Sequence, residues 1–331
     1  LAGEEIDIIP FTYYARDDAD HQMSCIDIDA FDGKAYYDAI RKGVRYNTSQ
    51  ITPQTFYDHI APFARAGQDV LFISMSSGIS GSYNSSLAAK EMLERDFPER
   101  SFYMLDTMAA SLGEGIAVLK AIEYRARGMS ISENHQALTA LSRRICQVFT
   151  VEDLRHLQRT GRISNAAAII GTVLRIQPIL KGNERGQIVS VGKVRSSRNA
   201  IRALADKYNE LVRDPQDQIV GIAHADNPEG AEALKALICA QKPPKEVLTV
   251  CYEPVTGAHV GSGTIALFFL GDDDVRLAPD CPYLFGDRVE FGGQPVHRRR
   301  ALRGRRPRPA GDRGLRGGDG LVDVVDRGER V

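Results

Sequence analysis

The sequence predicts an α/β fold in two domains: a doubly wound, mostly parallel N-terminal sheet, then a mixed α/β C-terminal domain. Three observations carry that prediction. Short apolar runs such as Val70-Leu71-Phe72-Ile73-Ser74-Met75, typical of strands buried on both faces, alternate with stretches of helical period. Polar loops recur where a strand gives way to a helix. Beyond Thr150 a hairpin pattern, foreign to a pure parallel sheet, marks a change of architecture. The expected divisions are residues 1–149, 150–275 and an irregular tail, 276–331.

Ile6-Asp7-Ile8-Ile9-Pro10-Phe11 reads as a strand entering mid-fold, so the first strand of the N-terminal domain is expected to be missing from this sequence. Asp27 to Lys42 is helix-like. Thr48-Ser49-Gln50-Ile51-Thr52-Pro53 reads as a hydroxyl-rich loop that ends at a helix start, with Thr52 as N-cap and Pro53 at the first helical position. Phe56, Ile60, Phe63 and Ala64 supply the buried stripe of that helix.

The stretch Ser76-Ser77-Gly78-Ile79-Ser80-Gly81-Ser82-Tyr83-Asn84-Ser85-Ser86 follows the Val70–Met75 strand and runs into a helical pattern in which Ala88 precedes Met92 and Ala89 precedes Leu93 at i, i+4. A strand, a two-glycine loop and a helix start aim backbone N–H groups and a positive dipole end at one spot, which suits an anion. No Lys or Arg lies between Ser74 and Ala89, so a singly charged carboxylate fits better than a polyphosphate. Ser at a helix start also serves as an ordinary cap, and that reading stays open here.

A third unit repeats the pattern, with strand Phe102–Leu105, then Asp106-Thr107, then Ser111-Leu112-Gly113-Glu114-Gly115 leading into a helix. A helix over Ile131 to Ile145 and a strand over Cys146–Val151 follow. Ile176–Leu180 and Gln187–Val194 flank a Gly182–Gly186 turn as a hairpin. The remaining elements are a helix from Ser196 to Val212, a strand from Gln218 to His224, a helix from Pro228 to Ala240, and strands Glu246–Tyr252 and Thr264–Leu270. From His297 to Val331 there are eleven Arg, no Lys and seven Gly, a composition that resists core formation. The switch from mixed Lys and Arg to Arg alone favours a wrong-frame extension over a disordered basic arm or an inert tail.

The totals exclude several classes. A formal charge of −1 over 331 residues gives no basic footprint for nucleic acid in the main body, and no apolar stretch approaches membrane-spanning length. The acidic start lacks the basic segment of a signal peptide, and the five cysteines form no C-x-x-C pair, so no disulfide framework or zinc site is signalled and the cytoplasm is the expected compartment. Gly186 to Val194 fails as a P-loop because Val follows Lys193, and Gly78-Ile79-Ser80-Gly81 is not a nucleophile elbow. Asp272-Asp273-Asp274 reads as a solvated strand end rather than a metal site. His224-Ala225-Asp226 is either an acid–base pair or the cap of the next helix.

Six motifs in order, Thr48-Ser49-Gln50, Ser76–Tyr83, Asp106-Thr107 with Ser111–Gly115, Gly161-Arg162-Ile163, Lys193-Val194-Arg195 and His259-Val260-Gly261-Ser262-Gly263, give a chain that resembles the DegV family of bacterial fatty-acid-binding proteins. The resemblance covers about Ile6 to Phe269. It implies one long-chain fatty acid held between two domains, with no other cofactor and no metal. The carboxylate would meet Thr48, Ser49, Ser77, Gly78, Ser80 and Gly81, with Arg162 and His259 near the head group as cations. It also implies a carrier rather than an enzyme, whose partner is a separate fatty acid kinase subunit that forms an acyl phosphate for phospholipid synthesis. Arg195 and Arg198 would face that partner or anionic lipid in transient membrane contact. The rivals are a small-anion hydrolase or phosphotransferase using His259 or His224 as acid–base, and a sugar- or phosphate-sensing module.

Overall fold

The computed structural model describes residues 6–25, 30–163, 176–272 and 275–276. In chain order its elements are β1 (Thr12–Ala15), β2 (Met23–Ser24), α1 (Gly33–Arg41), β3 (Tyr46–Ser49), α2 (Pro53–Arg65), β4 (Val70–Ser74), α3 (Ser82–Asp96), β5 (Phe102–Asp106), α4 (Leu112–Ala126) and α5 (Ile131–Ser142). Then come β6 (Ile145–Thr150), α6 (Leu154–Arg159), β7 (Ile176–Gly182), β8 (Ile188–Arg195), α7 (Ser197–Leu211), β9 (Ile219–His224), α8 (Pro228–Gln241), β10 (Glu246–Cys251), α9 (Pro254–Val260) and β11 (Ile265–Leu270). The fold is mixed α/β, with one parallel sheet region and one mixed sheet.

The mixed sheet has six strands in the order β10-β9-β11-β6-β7-β8. Period-two alternation along its central strands divides the core. In β11, Ile265, Leu267 and Phe269 pack with Ala200, Leu204 and Tyr208 of α7 and Leu234 and Ile238 of α8. Ala266, Phe268 and Leu270 face the opposite way, toward Ile116 and Ala117 of α4 and Leu138 and Leu141 of α5. A strand buried on both faces needs an unbroken apolar run, which Ile265–Leu270 supplies.

In the N-terminal half the parallel pairing is β4 with β5, in register from Val70 with Phe102 to Ser74 with Asp106. The strand expected at Ile6–Phe11 does not form. The first strand is β1, just beyond Pro10, and it pairs antiparallel with β2 and with β3 in a separate three-stranded sheet. Pro10 has no N–H to give a ladder. The loop expected at Thr48–Pro53 is half strand: Thr48 and Ser49 close β3, opposite Tyr13 and Thr12. Thr52 caps α2 as anticipated, accepting the N–H of Thr55 at 3.1 Å, with Pro53 at its first position. Phe56, Ile60 and Ala64 are buried, but Phe63 is 37% exposed and stands outside the core stripe assigned to it.

The second edge of β4 has no partner strand among the described residues. A cavity of about 1030 Å³ runs along it, walled by Phe56, Ile60 and Phe63 of α2 and by Val118, Ala121 and Ile122 of α4. Aromatic side chains fix the other half of the site. Tyr13, Tyr36 and Tyr46 pack against one another, the Tyr36 and Tyr46 rings stacked at 4.5 Å. Tyr36 donates its hydroxyl to Pro254 O at 2.7 Å and Tyr37 donates to Tyr252 O at 2.9 Å, tying α1 to the start of α9.

Candidate functional site

The loop between β4 and α3 is built from its own hydroxyls. Ser80 N–H and Ile79 N–H donate to Ser76 O, Gly78 N–H to Ser76 Oγ, and Ser82 N–H to Ser80 Oγ. Ser77 N–H points at the Asp106 carboxylate, 3.3 Å from Oδ1. Most of the loop donors expected to face a ligand are therefore satisfied within the fold. Among the described residues the N–H groups of Gly81, Tyr83 and Asn84, where α3 starts with no side-chain cap, have no hydrogen-bond partner.

Close approach of backbone demands glycine at 78, whereas at 81 the neighbour is the movable end of the Gln50 side chain. A Cβ on Gly78 would lie 2.5 Å from Arg185 O and 2.6 Å from Gly186 C, because the β7–β8 turn docks on this loop. Ser76 Oγ donates to Gly186 O at 2.8 Å from the same side. A Cβ on Gly81 would lie 2.6 Å from Gln50 Oε1.

Strand β3 links this loop to a second cluster. Gln50 reaches Ser85 Oγ at 2.8 Å, while Thr48, two residues earlier, places its Oγ1 2.9 Å from His259 Nε2. Burial, then the neighbouring Arg162 guanidinium and His156, depress His259 from its ordinary range to about 3, so the ring is neutral at physiological pH. A desolvated imidazole beside an arginine is disfavoured as a cation. Its Nδ1 is buried and has no hydrogen-bond partner among the described residues.

Arg162 is half-buried, its charge disfavoured by desolvation, and donates to Thr160 O. Thr160 Oγ1 in turn lies 3.4 Å from His259 O, and His156 Nε2 lies 2.8 Å from Ala258 O. Thr48, Arg162 and His259 thus form one cluster. Ser77, Gly78, Ser80 and Gly81 form the other, with Gln50 between them. The Ser49 hydroxyl has no hydrogen bond among the described residues.

Sequence reading passed over Gln50, Thr160 and His156 as site residues, and it missed α9, which carries His259. The signal for α9 was present. Glu253 accepts the N–H groups of Val255 and Thr256, Pro254 holds the first helical position, and Gly261 ends the helix at φ +78°.

The lining of the cavity along β4 includes Ser74, Ser82 and Glu114. Ser82 Oγ is 3.1 Å from Ser80 Oγ of the loop. Burial, with Glu253 nearby, pushes the Glu114 carboxyl up to about 8, so it is largely protonated at neutral pH. The His224 motif stands beside a cap: Nδ1 accepts the N–H of Asn227, whose own Oδ1 caps α8 by accepting the Gly230 N–H at 3.0 Å, and Asp226 pairs with Arg41. Asp272 pairs with Arg213, while Asp273, Asp274 and the Arg-rich tail lie outside the described residues. Among the described residues no group of three or more His, Cys, Asp or Glu is arranged to hold a metal, and no helix is long and apolar enough to cross a membrane.

The family model described as uncharacterised protein, DegV family, matches residues 5–272. A DegV domain-containing protein of Clostridium perfringens is 36% identical over 239 residues, covering 72% of this chain and 82% of that protein. The solved fatty acid binding DegV family protein from Streptococcus agalactiae superimposes with a TM-score of 0.71 at 25% identity, covering 82% of this chain and 93% of that one. DegV, a fatty acid binding protein from Bacillus subtilis, gives a TM-score of 0.67 at 26% identity over 80% of this chain and 91% of its own. A family match over most of the sequence, with a relative at this identity, means that the chain belongs to the DegV family.

Proposed function

We propose that this protein binds a long-chain fatty acid and presents its carboxylate to a separate kinase subunit for acyl phosphate formation, without a complete catalytic site of its own. The observation that carries the reading is the Thr48–His259 pair, a hydroxyl held 2.9 Å from a neutral imidazole. With the proton on Nε2, His259 donates to Thr48 Oγ1, and the Thr48 hydroxyl is left to donate to a carboxylate. Ser80, once its hydroxyl turns from Ser82 Oγ toward the ligand, and the N–H groups of Gly81, Tyr83 and Asn84 at the start of α3 supply further donors. Such a set can receive one ionised carboxylate without a salt bridge.

The cavity along β4 is the apolar space for the acyl chain. Each buried CH₂ contributes about 0.8 kcal/mol, so chain length sets most of the affinity and the polar contacts set orientation. The fatty-acid-binding relatives from Streptococcus agalactiae and Bacillus subtilis support the same ligand class. The hydrolase reading is less supported, because His259 at about 3 is a poor base near neutral pH and His224 Nδ1 is engaged by the Asn227 N–H.

Native and then denaturing mass spectrometry of the purified protein tests the ligand. One long-chain acid per chain is expected. Protein that is empty and takes up no added palmitate or oleate overturns the reading. The kinase step is tested separately, by supplying the loaded protein, ATP and a candidate kinase subunit and assaying acyl phosphate.

A further inference from the structure

Arg276 lies beyond the residues matched by the family, yet its side chain is carried into the interior and is only 4% exposed. Its hydrogen bonds go to carbonyls of three separate segments. Nε donates to Ser142 O at 3.1 Å, at the C-terminal end of α5, where a cation meets the negative end of the helix dipole. Nη1 donates to Met108 O at 2.6 Å and lies 3.4 Å from Asn183 O. Nη2 is buried without a partner, and no carboxylate is hydrogen-bonded to the guanidinium among the described residues. A buried charge held by backbone carbonyls alone is costly to keep, so what it holds in place matters.

Two of the three segments support the Ser76–Gly81 loop directly. Met108 sits at φ +53°, a left-handed conformation that is strained for a residue with a side chain. It is gripped at both ends, its N–H donating to Asp106 Oδ1 at 2.8 Å and its carbonyl accepting from Arg276. The same Asp106 receives Ser77 N–H, Thr107 Oγ1 donates to Ser74 O at 2.7 Å, and Ser76 N–H donates to Ala109 O at 2.7 Å. Asn183 opens the β7–β8 turn, accepting the N–H groups of Arg185 and Gln187 on Oδ1, and that turn bears on Ser76 and Gly78.

We infer that Arg276 is a positioning residue for the Ser76–Gly81 loop, holding the strained Met108 segment beneath it and the Asn183–Gln187 turn beside it. Nη1 holds both supports while Nε stays on Ser142 O at the end of α5, a three-carbonyl spread that a Lys point charge cannot match.

Hydrogen exchange on the full chain tests this, with palmitate affinity as a second arm that rests on the fatty-acid reading. In Arg276→Met, exchange is expected to rise roughly tenfold in peptides covering residues 74–81, 106–111 and 183–187, while β9 and β11 stay protected. Palmitate affinity should fall roughly tenfold, equivalent to about 1.4 kcal/mol. Adding Met108→Gly, which tolerates the positive φ, should restore protection at 106–111; a purely global stabilising role would show no such rescue. Unchanged exchange in all three segments, or a uniform rise that includes β9 and β11, overturns the inference. Should Arg276→Met not fold, Arg276→Lys is read instead: raised exchange at one of the two supports is expected, and wild-type exchange at both overturns it. If the exchange pattern appears but the wild-type chain binds no palmitate, the fatty-acid reading fails and the positioning inference stands.

Discussion

Replacing Thr48 by Val removes one oxygen and keeps the shape and β-branching that strand β3 requires. The consequence falls on His259. Its Nδ1 already lacks a partner, and the loss of Thr48 Oγ1 leaves Nε2 unpaired as well. A buried polar atom left unsatisfied costs about 1–3 kcal/mol, so the melting temperature should drop by a few degrees. The effect on ligand is separate. A hydrogen bond to an ionised acceptor contributes about 1.5–3 kcal/mol, so palmitate affinity should weaken roughly 10- to 150-fold, at about 1.4 kcal/mol per factor of ten. Displacement of a fluorescent long-chain acid measures the second quantity and thermal melting the first. Thr48→Val that melts early but binds palmitate as the wild type does would refute the head-group assignment while leaving the structural bond intact. Ser80→Ala in the same background should deepen the affinity loss.

Other outcomes follow from the same contacts. Because His259 titrates at about 3 when folded against an ordinary value of 6.5, the unfolded chain binds more protons between those values. The stability from its neutral burial is therefore full above pH 6.5 and is lost as pH falls toward 3; in pH-dependent denaturant melts His259→Gln should flatten that slope. Glu114 has the opposite sign. Raised to about 8 from 4.5, it favours folding below pH 4.5 and loses that advantage as pH rises through 8. Glu114→Gln should accordingly stabilise the protein at pH 9, by on the order of a few kcal/mol, and do little at pH 4. Gly78→Ala drives a Cβ into the backbone of the β7–β8 turn and should lower both melting temperature and fatty-acid affinity, whereas Gly115→Ala, with 3.8 Å of room, should be tolerated. Equal behaviour of the two alanine variants in melting and binding assays would contradict the docking of that turn.

Local chemistry made much of the fold legible. Thr52 with Pro53 marked a helix start, Ser130 with Glu133 closes a capping box, and the unbroken apolar run at Ile265–Leu270 could only be an interior strand. What escaped was nonlocal. Tyr46–Ser49 is polar and short, and it is a strand only because β1, more than thirty residues earlier, pairs with it. The resemblance drew Thr48 and His259 to one ligand, but the bond between them crosses 211 positions and rests on α1 being tied to α9 through Tyr36 and Tyr37. The charge state of His259 was not legible at all, since it depends on burial beside Arg162 and no sequence pattern records that. The same holds for Asp106, whose work beneath Ser77 and Met108 appears only once β5 lies beside β4.

These charge states bear on which head group the site favours. A carboxylate carries one negative charge, and among the described residues the cluster offers the Arg162 guanidinium together with hydroxyls and a neutral imidazole. Burial already disfavours the Arg162 charge, so a single anion beside it relieves an existing cost without creating a new one. An acyl phosphate brings further negative charge into the same low-dielectric space. Its most accessible answer is protonation of His259, whose unpartnered Nδ1 is free to take the proton. A pKa near 3 makes that uptake unfavourable until the second charge arrives, and a nearby dianion raises it. The free acid should therefore bind without proton uptake at pH 7, and a nonhydrolysable acyl phosphonate should bind with uptake approaching one proton, readable by calorimetry in buffers of different ionisation enthalpy. Equal proton uptake for both ligands would mean that His259 serves Thr48 alone and takes no part in distinguishing a carboxylate from an acyl phosphate head group.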